Sequence, residues 1–71
     1  MNTIIINKEP VELFKILKFE GIVGSGGEAK MVISEGLVKV NGNVETQKRK
    51  KVVSGDTIEF MDETYQVTLG E

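Results

Sequence analysis

The chain has no cysteine, no histidine and no tryptophan, and a single proline. Without cysteine there is no disulfide and no thiol nucleophile. Without cysteine and histidine together the usual zinc ligands are gone. The same gaps remove most starting points for an enzyme, since no nucleotide motif stands in for them. Long apolar runs are missing too. Ile4-Ile5-Ile6 is far too short to span a membrane, and no basic segment precedes it as in a signal peptide. The expectation is a cytoplasmic, non-enzymatic protein with no metal, no cofactor and no membrane contact.

Seventy-one residues predict one domain over 1–71, with a small core, since a chain of this size buries only about 60% of its unfolded surface. The net charge is −2, whereas nucleic-acid-binding domains usually have a pI above about 9. The charge is unevenly spread. Residues 37–51 carry Lys39, Lys48, Arg49, Lys50 and Lys51 against Glu45 alone. Residues 52–71 carry Asp56, Glu59, Asp62, Glu63 and Glu71 with no base. A polarised surface follows, and for docking a polyanion the local field counts for more than the total charge.

The stretch from Gly24 to Gly42 organises the rest. Ser25 followed by Glu28 has the form of a capping box, the hydroxyl accepting from a first-turn amide and the carboxylate reaching back to the cap amide. Ala29, Val32 and Ile33 then share one helical face, with Gly27, Lys30, Met31 and Ser34 on the outward one. Gly36 suits the left-handed position past a helix end. Leu37-Val38-Lys39-Val40 starts a strand, and Asn41-Gly42 favours a type I′ hairpin turn from which Asn43 to Thr46 can return as a second strand.

Before this stretch, Thr3 to Ile6 reads as an edge or pairing strand. Pro10 suits a helix's first turn, with Glu12 there complementing the dipole, Leu13, Ile16 and Leu17 on one face and Phe14 at its margin. Lys15 and Lys18 project from the other side, either as phosphate contacts or as a solvated face with Lys15 near Glu12. Gly21 ends the helix. Gly26 and Gly27 leave open amides at the next helix start, a natural anion site or simply room for the turn. A nucleotide P-loop fits poorly, because Glu28-Ala29 stands where its lysine belongs.

After the hairpin, Lys48-Arg49-Lys50-Lys51 is either a phosphate-tracking loop or a solvated one. Val52-Val53 leads into the turn Ser54-Gly55-Asp56. Thr57 to Phe60 and Tyr65 to Leu69 alternate as a hairpin around a turn at 61–64, with Ile58, Phe60, Tyr65, Val67 and Leu69 on inward faces. The acids of this region are spread over turns and do not pair as catalytic carboxylates.

Three motifs in order carry a family resemblance: Ser-x-x-Glu-Ala-Lys from Ser25, Ile-x-x-Gly-x-Val-x-Val-Asn-Gly from Ile33, and Val52/Val53 with Gly55-Asp56 and Ile58. Over roughly residues 10–60 the chain resembles the S4 RNA-binding domain, and within it the small stand-alone bacterial S4-like proteins, which share Leu17 to Gly21 and Ser25 to Gly27. The resemblance implies an α+β fold in which two short helices (about 10–20 and 26–35) pack on a small, mostly antiparallel sheet. It implies binding of structured RNA, typically ribosomal, by backbone and shape, with Lys18, Lys30, Lys39, Lys48, Arg49, Lys50 and Lys51 on phosphates and Gly26 and Gly27 offering amides. Ribosome assembly, ribosomal-protein contacts and a monomer are part of that expectation. The chain departs from the family where many members have Arg-Leu-Asp, here Val11-Glu12-Leu13, and where many have a base before Glu-Ala, here Gly27. More of the charge therefore rests on 48–51. The competing readings are a protein–protein adaptor without a nucleic-acid role and a ubiquitin-like sulfur carrier. The second is ranked lower, since such carriers end in Gly-Gly and this sequence reads Leu69-Gly70-Glu71.

Overall fold

The computed structural model describes residues 2–70. In chain order the elements are β1 (Asn2–Ile6), β2 (Val11–Glu12), α1 (Leu13–Phe19), α2 (Gly26–Ser34), β3 (Val38–Val40), β4 (Asn43–Val44), β5 (Lys51–Val52), β6 (Thr57–Phe60) and β7 (Glu63–Leu69). The main sheet runs β1-β7-β6-β3-β4, and β2 pairs with β5 in a separate two-stranded ribbon. All pairings are antiparallel except β1 with β7, which is parallel. The α+β architecture expected from the sequence is the one observed. Among the described residues, no helix is long and apolar enough to cross a membrane.

Strand alternation and helical spacing converge on one apolar cluster. Ile4, Ile6, Val38, Val40, Ile58, Phe60 and Val67 from the sheet meet Leu13, Ile16 and Leu17 of α1 and Ala29, Val32 and Ile33 of α2. Val52 of the ribbon and Val23 of the interhelical loop complete it. Among the described residues, no polar or charged one is buried in this core. Tyr65 packs against the cluster from its rim, whereas Leu69, expected inward, is largely exposed at the strand end.

Both helices close in the same way. Gly21 (φ 71°) and Gly36 (φ 77°) take the left-handed conformation. The Gly21 and Ile22 amides donate to Lys18 and Leu17, and those of Gly36 and Leu37 to Ile33 and Val32. This is the Schellman arrangement, which satisfies carbonyls that the helix itself leaves unpaired.

Four local expectations are corrected. The first helix begins at Leu13 rather than near Pro10, because Val11 and Glu12 pair with Val52 and Lys51 across the ribbon. Long-range pairing outweighs the local fit of proline to a first turn. The return strand stops at Val44, where the Glu45 carboxylate accepts from the Gln47 amide at 3.0 Å and turns the chain out of the sheet. The last hairpin turns on Met61 and Asp62 alone, both at positive φ, so β7 starts at Glu63. Ser25 caps α2 as expected, accepting from the Glu28 amide at 3.1 Å. Glu28, however, reaches past the cap to the Gly24 amide at 2.8 Å.

Two turns legible in the sequence are tied to each other. The Asn41 side-chain amide donates to Asp56 Oδ1 at 3.0 Å, and its oxygen accepts from the Thr57 amide at 2.9 Å. Asp56 Oδ2 accepts from the Val53 amide at 3.0 Å. Asn41→Ala and Asp56→Ala are each expected to lower the unfolding free energy by about 1–2 kcal/mol. Because the two side chains share a bond, the double variant should lose less than the sum. Urea denaturation followed by circular dichroism measures all three, and strict additivity would show the two turns to be independent.

Candidate nucleic-acid interface

The first amides of α1 have no side-chain cap. They are met instead by the loop between β4 and β5. The Leu13 amide donates to the Lys50 carbonyl at 2.9 Å and the Phe14 amide to the Lys48 carbonyl at 3.1 Å. The Lys50 amide donates to the Gln47 carbonyl at 3.1 Å, folding the loop into a turn. A helix N-terminus is the positive end of its dipole, so a loop of cations docks there only by presenting carbonyls. The side chains are left to project elsewhere.

They do not all project the same way. Lys48 and Arg49, with Thr46 and Gln47, form one wall of an open groove of about 670 Å³. The opposite wall is the outward face of α2, namely Gly27, Lys30, Met31 and Ser34. Lys51 faces another depression with Lys8, Lys15 and Phe19. Lys15 is paired there with Glu12 at 3.3 Å, the partner anticipated from sequence. Lys50 is half-buried and contributes its carbonyl. Lys39 lies between the inward Val38 and Val40 and so points from the other face of the sheet, opposite Glu59 and Val44. Lys18 is exposed, with its ammonium 5.7 Å from the Phe19 ring. Its stem runs beside Gly26, where a Cβ would lie 3.7 Å from Lys18 Cδ.

Of the nine residues predicted as a site, the structure brings Gly27, Lys30, Lys48 and Arg49 into one groove. It sets Lys18 and Gly26 together where α1 meets the start of α2, and places Lys39 and Lys51 on other surfaces. Among the described residues, Lys30, Lys48 and Arg49 have no carboxylate within 4.0 Å. The acids nearest to them in sequence, Glu28 and Glu45, are turned onto main-chain amides. The groove is therefore a concentration of cation charge open to an external anion.

Sequence reasoning passed over Phe14, whose half-buried ring lies 4.9 Å from the Lys30 ammonium. It also passed over Thr46 and Gln47 as wall residues. No local pattern links positions 14, 30 and 47, which meet only through the fold.

A helix-loop-helix unit continued by a strand hairpin, with an open cationic groove along the second helix, defines a small α+β module with a basic surface groove. The S4 domain model matches residues 4–68, and the chain belongs to that family. Its relative in Escherichia coli (strain K12), named "Putative RNA-binding protein YbcJ", is 50% identical over 68 residues, 94% of this chain and 97% of the relative. "Probable ribosome maturation protein RlbA" of Bacillus subtilis (strain 168) is 36% identical over 59 residues, 83% of each chain. The solution structure of YbcJ from E. coli superposes with a TM-score of 0.72 at 49% identity, covering 96% of this chain and 87% of that one. That structure is described as revealing an αL motif involved in RNA-binding.

Because main-chain groups hold the loop, changing Lys48, Arg49, Lys50 and Lys51 together to Gln should leave the Leu13 and Phe14 amides protected from hydrogen exchange. Amide exchange followed by NMR tests this. Fast exchange at those two positions would mean that the side chains, not the carbonyls, keep the loop in place.

Proposed function

We propose that this protein binds structured RNA without catalysing a reaction, and that the groove between α2 and the basic loop is where the phosphate backbone lies. The observation that carries this reading is the convergence of Lys30, Lys48 and Arg49 on one open groove with no carboxylate partner among the described residues. Arg49 can fork two donors onto one phosphate, while the lysines act as point charges. Gly27 leaves backbone exposed between them. Lys18 and Gly26 would extend the contact along α1, and Lys50 would lie behind it. Lys39 and Lys51 would be reached only by RNA that continues past the groove.

Ribosomal RNA is the proposed target and ribosome maturation the proposed process, supported by the name of the B. subtilis relative. In this reading the protein acts as a cytoplasmic monomer and meets ribosomal proteins beside its RNA site. The absence of histidine and cysteine favours a binding role over a catalytic one.

The test is binding to ribosomal RNA fragments and to duplex DNA across a salt series, with wild type beside a Lys30→Gln, Lys48→Gln, Arg49→Gln variant. Wild type should bind RNA with an affinity that falls as salt rises. The variant should bind more weakly, its log–log salt slope shallower by about 2–3 units, roughly one per phosphate contact removed. Failure of wild type to bind either nucleic acid at low salt would refute the RNA reading and point to protein partners.

A further inference from the structure

Phe14 is tied to both walls of the groove. Its amide donates to the Lys48 carbonyl at 3.1 Å and so holds the loop wall. Its ring, at the margin of the buried face of α1, lies 4.9 Å from the Lys30 ammonium on the α2 wall. An ammonium within about 6 Å of a ring centroid is attracted by the negative face of the ring. Lys30 is half-buried, and among the described residues no carboxylate accompanies it.

We propose that Phe14 is a positioning residue for the groove: its ring fixes the Lys30 ammonium beside Lys48 and Arg49, so that the three cations are presented as a set. The inference rests on the RNA-binding reading above. A lysine free in solvent loses rotamer freedom when it meets a phosphate, and holding it beforehand removes part of that cost.

A carboxylate could hold the lysine equally well but would cancel its charge. Lys15 illustrates this, held by Glu12 at 3.3 Å. An aromatic ring carries no net charge, so it orients Lys30 and leaves its field intact. The Lys18–Phe19 pair differs, since Phe19 is 68% exposed and neither residue lines the groove that holds Lys30, Lys48 and Arg49.

The experiment compares wild type, Phe14→Leu, Phe14→Tyr, Lys30→Gln and the Phe14→Leu/Lys30→Gln double variant, using a ribosomal RNA hairpin at several salt concentrations. Melting curves confirm folding. In the free protein, NMR shifts of the Lys30 ε-methylene protons report whether a ring lies over them. Phe14→Leu should weaken binding by about two- to fivefold, the range of an exposed cation–π contact, and Phe14→Tyr should retain wild-type affinity. In the Lys30→Gln background the Leu substitution should cost nothing further. The ring-current shift should be present in wild type and lost in Phe14→Leu. An equal penalty in both backgrounds, no penalty at all, or unshifted Lys30 protons in wild type overturns the proposal. If wild type itself fails to bind the hairpin, the RNA reading falls and takes this inference with it, whereas binding by wild type with no Phe14–Lys30 coupling defeats the inference alone.

Discussion

Two main-chain hydrogen bonds, from Leu13 to Lys50 and from Phe14 to Lys48, fix the geometry on which the rest depends. α1 has seven residues, far below the length at which a helix is stable alone, and Glu12 gives it no side-chain cap. The loop supplies the missing acceptors. In return it gains a fixed place, although residues 45–50 belong to no strand or helix. The β2–β5 ribbon anchors the loop's far end, with Val52 fully buried beneath it. Glu9 holds the next turn by accepting from the Ser54 amide at 2.7 Å. Since α1 also packs on α2 through the shared core, the loop is positioned relative to Lys30 as well. One docking contact thus sets both walls of the groove.

The same contact explains how a crowded run of cations is tolerated. Turned toward the positive end of α1, lysine side chains would be repelled. Carbonyls are attracted there, and they are what the loop presents. The charges are then divided, with Lys48 and Arg49 facing the groove and Lys51 lining a separate depression with Glu12 and Lys15. The acids of the last third sit elsewhere. Asp56 is occupied by Asn41 and Val53, and Glu59 lies on the sheet opposite Lys39. At physiological ionic strength, charges more than about 8 Å apart are largely screened when exposed. A net charge of −2 therefore says little about the field inside the groove.

What could be read in the sequence was what is local. The Ser25 cap, the helix stop at Gly21, the left-handed Gly36, the Asn41-Gly42 turn and the buried faces of both helices each depend on residues within a few positions of one another. The outward face Gly27, Lys30, Met31 and Ser34 follows from the same periodicity, and it became one wall of the groove. What escaped was settled by distant partners. Val11 and Glu12 became a strand because Lys51 and Val52 lie beside them. The basic run looks like a single patch in one dimension and is split by a turn in three. Phe14 reads as a marginal core residue until α2 places Lys30 over it. Residues 14 and 30 carry no shared pattern that would predict the meeting.

The departures from the wider family pattern fit this arrangement. Where many S4 domains have Arg-Leu-Asp, this chain has Val11-Glu12-Leu13, and Glu12 lies beside Lys51 in the ribbon and pairs with Lys15. That end of α1 is locally neutralised. Gly27, where many carry a base, opens the groove instead of charging it. The groove is left with three cations, and three phosphate contacts give a much weaker electrostatic term and a gentler salt dependence than the six to ten of a strong nucleic-acid binder. Under the proposed function, charge alone would then hold RNA only loosely. Selectivity would have to come from the fit of a helical RNA surface to two rigid walls, as in shape-based duplex RNA recognition. A groove fixed by backbone hydrogen bonds and an aromatic contact suits that task better than a flexible basic tail, because its cations are already spaced before the RNA arrives.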